Sequence, residues 1–600
     1  MEMAMKRFTR GTAVVLVLTG MTVAIPVTST SAAEPRAGQR TETVVDSFAP
    51  ASAVVESYVT LFSPLPASVG AHPAACDYIS YLRYRHKDGP TDPADADSVV
   101  LAQPGLQGGA MSYDSRARQV VEKAAAQGRH VEFWAISRRS NCLVDRTGLD
   151  AAAKARDYRV AIDYYYRNKD IGGKRFAGFP RGDEVRFLKH FDQPQMIADE
   201  YQIMTEAIPE PAVRARRFAC GGHSFGGLLT GLFAGWDFDG DPATTDDAGY
   251  KQCARFFADD TLTATDPFGV TQLPGGDLVG AYAGFLHQFP ENAIELGILP
   301  ADLDFPVLLN PEIYNLFSII GLAAYFEPDR ESELFQRLPH NFNLDTTLRL
   351  FLSRTYPQFL TGIPDVRRFR YTNEALLGAV LDNNSQPISA LQLGLGSFGG
   401  GPVADRSFPL PDQVTGIPVI GTLISNLIGP GGTKVGPTDP RALYTWRRYD
   451  QAPGVRQDGT PYTTRDKEVT DIHDLARTMF EGPATYLENY LPFMLMPDNV
   501  FLIGNRWGKF ANVRYPQGVN TKPHLTVYGG DGLVLDALTL IDPLSAVFNP
   551  TTPLVPKDAV VIPGYRHIDV VAAAPIQNNG KPEMASQAMT DFVLGHRDPK

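Results

Sequence analysis

The hexapeptide Gly222-His223-Ser224-Phe225-Gly226-Gly227 follows the apolar run Phe218-Ala219-Cys220 and precedes Leu228-Leu229-Thr230-Gly231-Leu232-Phe233. That order dictates a strand, a tight turn and a helix. Such a turn strains the backbone of its central serine, so the residues two before and two after must be nearly free of side chain. Gly222 and Gly226 meet this demand. The turn would lift Ser224 Oγ above a sheet edge, with the helix N-terminus and the Phe225 N–H supplying positive potential beside it. The alternative is a glycine-rich turn of purely structural use.

From residue 78 onward, β-rich runs at 78–85, 98–103, 130–137, 216–222 and 254–259 alternate with helical spacing at 113–127 and 150–168. This alternation predicts an α/β chain with a mostly parallel, doubly wound sheet. Strand signals resume only at 524–529 and 559–563, ahead of a last helix at 585–594. The stretch between, 261–520, is too long for a structureless loop and has its own apolar segments at 313–326 and 484–496. It reads as a large, mainly helical cap domain inserted between strands. Within it, residues 392–440 hold Gly399-Gly400-Gly401 and Gly429-Pro430-Gly431-Gly432 around an apolar island at 419–428. That stretch reads either as a mobile lid or as a surface excursion packed on the cap. The expected organisation is a leader at 1–33, an N-terminal extension at 34–75, core at 76–260, cap at 261–520 and the rest of the core at 521–600.

Lys6, Arg7 and Arg10 precede an apolar run at 12–27, and Ser31-Ala32-Ala33 offers small residues for cleavage. This is the pattern of a secretory leader cut near Ala33, and predicts a secreted protein. Removing three cations and one anion with residues 1–33 leaves a net charge of about −14, which argues against a nucleic-acid partner. No later stretch supplies the roughly 18 apolar residues of an integral membrane segment. With 44% hydrophobic and 20% charged residues, the chain is neither disordered nor a coiled coil. Cys76, Cys142, Cys220 and Cys253 allow three disulfide connectivities. Pairing Cys76 with Cys142 and Cys220 with Cys253 is favoured, with buried free thiols as the alternative, and no cysteine has zinc-site spacing. The cluster Asp237, Asp239, Asp241, Asp246 and Asp247 lacks an EF-hand frame and its closing Glu, and reads as a solvated loop.

The turn in this setting resembles that of the α/β-hydrolase superfamily, specifically its serine esterase and lipase-like members. The resemblance implies an oxyanion loop after an earlier strand, then an acid and a base in the chain order Ser, Asp or Glu, His. Val99-Val100-Leu101-Ala102 followed by Gln103-Pro104-Gly105-Leu106-Gln107-Gly108-Gly109 occupies the loop position, with Pro104-Gly105 where the family has His-Gly. The backbone N–H groups of Leu106 and Phe225 would then be the oxyanion donors. Gly529-Gly530-Asp531-Gly532 makes Asp531 the expected acid, with Asp259 and Asp260 as rivals. Gly564-Tyr565-Arg566-His567-Ile568-Asp569 is similar to the His-x-Asp segment of lipases and esterases and makes His567 the expected base, with His596 as a rival. His223 would face away from Ser224, as strand neighbours do, and reads as a packed histidine. Asp569 reads as a helix cap or local hydrogen-bond acceptor, and Arg138 and Arg139 read as ties between loops and sheet or as anion binders. The implied activity is hydrolysis of carboxylic esters by Ser224, Asp531 and His567 through an acyl-enzyme, with no metal or organic cofactor. The cap's apolar content points to a small-molecule or lipid ester. A capped peptidase, an acyltransferase and a secreted binding protein on a hydrolase core are the alternatives.

Overall fold

A computed structural model describes residues 36–265, 276–304, 310–408, 434–451, 453–501, 507–535, 538 and 555–595. The leader at 1–33 with its cut near Ala33, the apolar island at 419–428 and the rival base His596 lie outside the described residues. The strands are β1 (Arg40–Val44), β2 (Val54–Phe62), β3 (Tyr78–His86), β4 (Ser98–Gln103), β5 (Val131–Ser137), β6 (Phe218–His223) and β7 (Arg255–Asp259). They continue with β8 (Arg370–Tyr371), β9 (Gly396–Gly399), β10 (Val403–Asp405), β11 (Val435–Pro437), β12 (Leu443–Arg448), β13 (His524–Gly529) and β14 (Val560–Ile562).

Nine of these form one sheet in the order β1-β2-β3-β5-β4-β6-β7-β13-β14. All pairings from β5 through to β14 are parallel, and β1, β2, β3 and β5 pair antiparallel. The parallel strands are near-continuous apolar runs because both faces are covered. In β4, Val99 and Leu101 pack with Met196, Ile197, Leu229 and Leu232 of the helices Gln193–Ala207 and Phe225–Gly235. Val100 and Ala102 point the other way, onto Ala117, Val120 and Val121 of the helix Asp114–Ala125. Each fully buried Val or Leu contributes roughly 1.5–3 kcal/mol.

The expected mixed α/β character and largely parallel sheet are present, with three differences of detail. Residues 34–75 contribute β1 and β2 to the sheet; β1 is exposed along its length and so carries no apolar pattern to reveal it. The helix expected at 150–168 is two, Thr147–Ala155 and Tyr158–Arg167, because Arg156 turns left-handed at φ 54° and Asp157 caps the second through the Arg159 N–H. The segment between β7 and β13 holds the helices Pro311–Phe326, Asn373–Leu381 and Ile472–Phe480, but also two small sheets, β8-β12-β9 and β10-β11. Here β9 and β10 are short and glycine-flanked, which hides them in the sequence. The apolar face of Pro311–Phe326 shares one core with the sheet helices. Among the described residues no helix is long and apolar enough to cross a membrane.

Disulfides join Cys76 to Cys142 and Cys220 to Cys253, as favoured from the sequence. The second closes 33 residues and fastens β6, just before the serine turn, to the chain entering β7. Loop-closure entropy predicts that Cys220→Ser with Cys253→Ser costs roughly 3–4 kcal/mol, read as a lower urea midpoint.

Candidate active site

Parallel strands align their carboxyl ends, and ligands of open α/β sheets bind along that rim. The register sets Gln103 opposite Gly222, His223 opposite Asp259, Asp259 opposite Val527 and Gly529 opposite Ile562. The loops leaving β4, β6, β7, β13 and β14 therefore meet at one edge.

Ser224 joins β6 to the helix Phe225–Gly235 with φ 55° and ψ −122°, the strained conformation that the glycine pattern predicts. A Cβ on Gly226 would fall 2.0 Å from the Gln103 carbonyl oxygen, and one on Gly222 would fall 2.4 Å from the Gly226 carbonyl carbon. Both glycines are thus required by close approach of the turn to itself and to β4. Neighbouring loops hold the turn: the Ser224 N–H donates to Asp259 O at 3.1 Å, and Thr261 Oγ1 donates to Ser224 O at 2.6 Å.

Ser224 and His567 line one cavity of about 270 Å³. Its other walls include Gly105, Leu106 and Gln107 after β4, Ile568 and Val571 after His567, and Ile388, Leu391, Tyr486 and Leu487 from the segment between β7 and β13; His223, expected to face away from Ser224, also lines it. His567 Nδ1 lies 2.5 Å from Asp260 Oδ2, with both side chains buried. The other Asp260 oxygen accepts the Gly529 N–H at 3.1 Å. Bonding at Nδ1 leaves Nε2 as the free nitrogen of His567.

Asp531, the expected acid, is not brought to His567. After β13 the chain turns at Gly529-Gly530, with the Gly530 N–H donating to Ile562 O, and this carries Asp531 past the rim. Its carboxylate pairs with Lys467 Nζ at 3.1 Å and lies 3.7 Å from Arg566. Asp260 takes the place facing His567 because it directly follows β7 and its N–H donates to Val527 O at 2.7 Å. Asp259, the other rival, points to the opposite side and pairs with buried Arg116 at 2.9 Å. Burial pushes the Asp259 carboxyl up to about 6, against the pull of Arg116.

His223 packs its ring 4.4 Å from that of His567, centroid to centroid, and its Nε2–H donates to His567 O at 2.9 Å. Burial, then repulsion from His567, holds its pKa well below the usual imidazole value, so it stays neutral and positions the His567 backbone. Among the described residues the N–H groups of Leu106 and Phe225 meet no hydrogen-bond acceptor. The Leu106 loop is fixed by Arg138, which donates to Pro104 O at 2.5 Å and to Leu106 O and Gly108 O at 3.2 Å each. Arg139 instead forms a two-pronged pair with Asp199, at 2.6 and 3.0 Å.

Asp569 does more than cap locally. It accepts from the Arg566 N–H, the Gly394 N–H and Thr470 Oγ1, at 2.8, 3.0 and 2.6 Å. These bonds tie the His567 turn to the segment between β7 and β13. Partners 99 and 175 residues away leave no local signal in the sequence.

Behind the turn, buried Glu200 accepts from Gln103 Nε2 at 3.0 Å, and burial pushes its pKa up to about 8. From its ordinary value of 4.5 upward the unfolded chain ionises this carboxyl while the fold keeps it protonated, so stability is withdrawn as pH rises from about 4.5 to about 8. Glu200→Gln should therefore match the parent near pH 4 and exceed it by roughly 3–5 kcal/mol at pH 8, as urea midpoints across that window would measure.

No family model and no curated protein matches the chain. Among solved structures, one titled "Lipase (Open form)" aligns over 86% of this chain and 96% of its own, at 10% identity and a TM-score of 0.26.

Proposed function

We propose that the chain is a secreted serine hydrolase of carboxylic esters on the α/β-hydrolase plan, with Ser224 as nucleophile, His567 as base and Asp260 as the acid that orients it. The observation that carries this reading is the buried contact between His567 Nδ1 and Asp260, in a cavity that Ser224 also lines. A serine hydroxyl is a weak nucleophile near neutral pH until an imidazole takes its proton, and a carboxylate on Nδ1 fixes the useful tautomer and stabilises the imidazolium. Ser224 Oγ attacks the ester carbonyl as His567 Nε2 accepts its proton. The oxyanion is received by the N–H groups of Phe225 and Leu106, and His567 returns the proton to the departing alcohol. Water, activated by the same imidazole, then releases the acid.

Apolar walls from Ile388, Leu391, Leu487, Ile568 and Val571 favour a hydrophobic acyl chain. Burying each further methylene is worth about 0.8 kcal/mol, so kcat/KM on p-nitrophenyl esters should rise about 4-fold per methylene until the cavity fills. Export belongs to the same proposal, since two disulfides suit an oxidising compartment. The test is turnover of an ester series beside the matching anilides, with and without an alcohol acceptor. Ester cleavage that grows with chain length supports the reading. Cleavage of anilides alone would make the protein a peptidase, and absence of any turnover would count against an enzyme.

A further inference from the structure

The loop from the helix Phe225–Gly235 towards β7 carries Asp237, Asp239, Asp241, Asp246 and Asp247. The sequence alone reads it as solvated, but the fold closes it on itself. The Gly249 N–H donates to Trp236 O at 2.9 Å, and the Asp239 N–H donates to Asp247 Oδ2 at 2.5 Å. As a result Asp237, Asp239 and Asp247 each bring one carboxylate oxygen within 4.8 Å of the others. Asp241 and Asp246 are engaged elsewhere, with the Ala243 N–H at 2.9 Å and Lys251 at 3.6 Å.

A second observation concerns Asp237 itself. Its side chain has no exposed surface, and its Oδ1 has no hydrogen-bond partner among the described residues; Asp247 Oδ1 is in the same condition. Arg514 Nε stands 3.0 Å from Asp237 Oδ2, so one guanidinium faces three carboxylates. A buried carboxylate with an unused oxygen beside two like charges is costly. A hard cation would satisfy the oxygen and cancel the repulsion at once.

We propose that Asp237, Asp239 and Asp247 form a calcium site that braces the far end of the helix begun by Ser224. Calcium takes six to eight oxygen ligands at about 2.3–2.6 Å in flexible geometry, so two oxygens on one ion can lie nearly 5 Å apart. Magnesium demands a tighter octahedron, keeps its waters and rarely takes an all-protein cage. The site is structural. Eleven helical residues at about 1.5 Å each set it roughly 16 Å along the helix from Ser224, out of reach of any substrate there. What it would hold is the junction with the chain leading into β13. There the Asp237 N–H donates to Asn512 O, Arg514 donates to Gly240 O, and Tyr515 OH donates to Thr244 O, at 2.9, 3.0 and 3.2 Å.

The test uses the full chain stripped with EGTA and titrated with calcium chloride. Calorimetry should find one site with Kd below about 1 mM, and Tm should rise by several degrees at saturation. Terbium chloride should give sensitised luminescence through the adjacent Trp236. Asp239→Asn and Asp247→Asn should keep the Tm of the stripped parent and lose the calcium shift and the luminescence. Asp237→Asn should lose both as well, but the first two variants decide the matter if it misfolds. The proposal is overturned if the parent shows neither heat nor shift, if both decisive variants keep the full shift, or if magnesium chloride gives an equal shift at equal concentration.

Discussion

Ser224→Ala is expected to lower kcat/KM on the best ester by about 10⁴–10⁶-fold while the protein still folds. The bonds that hold the turn are made by the Ser224 backbone, which the substitution keeps: the N–H to Asp259 O and the carbonyl to Thr261 Oγ1. Only the attacking oxygen is removed. A steady-state assay beside a thermal melt separates the two effects, and an active variant with parental kinetics would remove Ser224 from the chemistry. His567→Ala should match the loss of turnover and also lower Tm, because it strips Asp260 of its ring partner inside a buried site.

The second large effect decides which carboxylate orients the base. Asp260→Asn should cost about 10⁴-fold in kcat, because an amide facing Nδ1 favours the wrong imidazole tautomer and cannot stabilise the imidazolium. Asp531→Asn should stay within about twofold of the parent, since it loses only part-exposed pairs with Lys467 and Arg566, each worth at most about 1 kcal/mol. Asp259→Asn should act on stability instead, by leaving the buried Arg116 guanidinium without its carboxylate. Parallel assays of the three variants read the assignment directly. Loss in Asp531→Asn with Asp260→Asn active would return the acid to the turn after β13.

The parts of this site legible in the sequence are those set by local sterics. Gly222 and Gly226 mark the turn because nothing larger fits there, and the apolar runs of β4, β6, β7 and β13 mark strands buried on both faces. His567 stands out because a strand and a tight turn precede it. Which carboxylate faces His567 is harder to read. Asp260 and Asp531 both follow parallel strands, and the sequence does not say which turn stays under the rim and which runs past it; the Gly530 bond to Ile562 makes that choice. Long-range ties are invisible for the same reason. Arg138 holding three carbonyls of the Leu106 loop, and Asp569 reaching Gly394 and Thr470, depend on segments that meet only in the folded chain.

The most direct measurement is labelling of the purified protein with a fluorophosphonate, followed by digestion and mass spectrometry. A serine made nucleophilic by an adjoining imidazole becomes phosphonylated, whereas an ordinary hydroxyl stays inert. One adduct on the peptide bearing Ser224, abolished in His567→Ala, is the predicted result. An unmodified protein, or an adduct on another serine, would contradict the account.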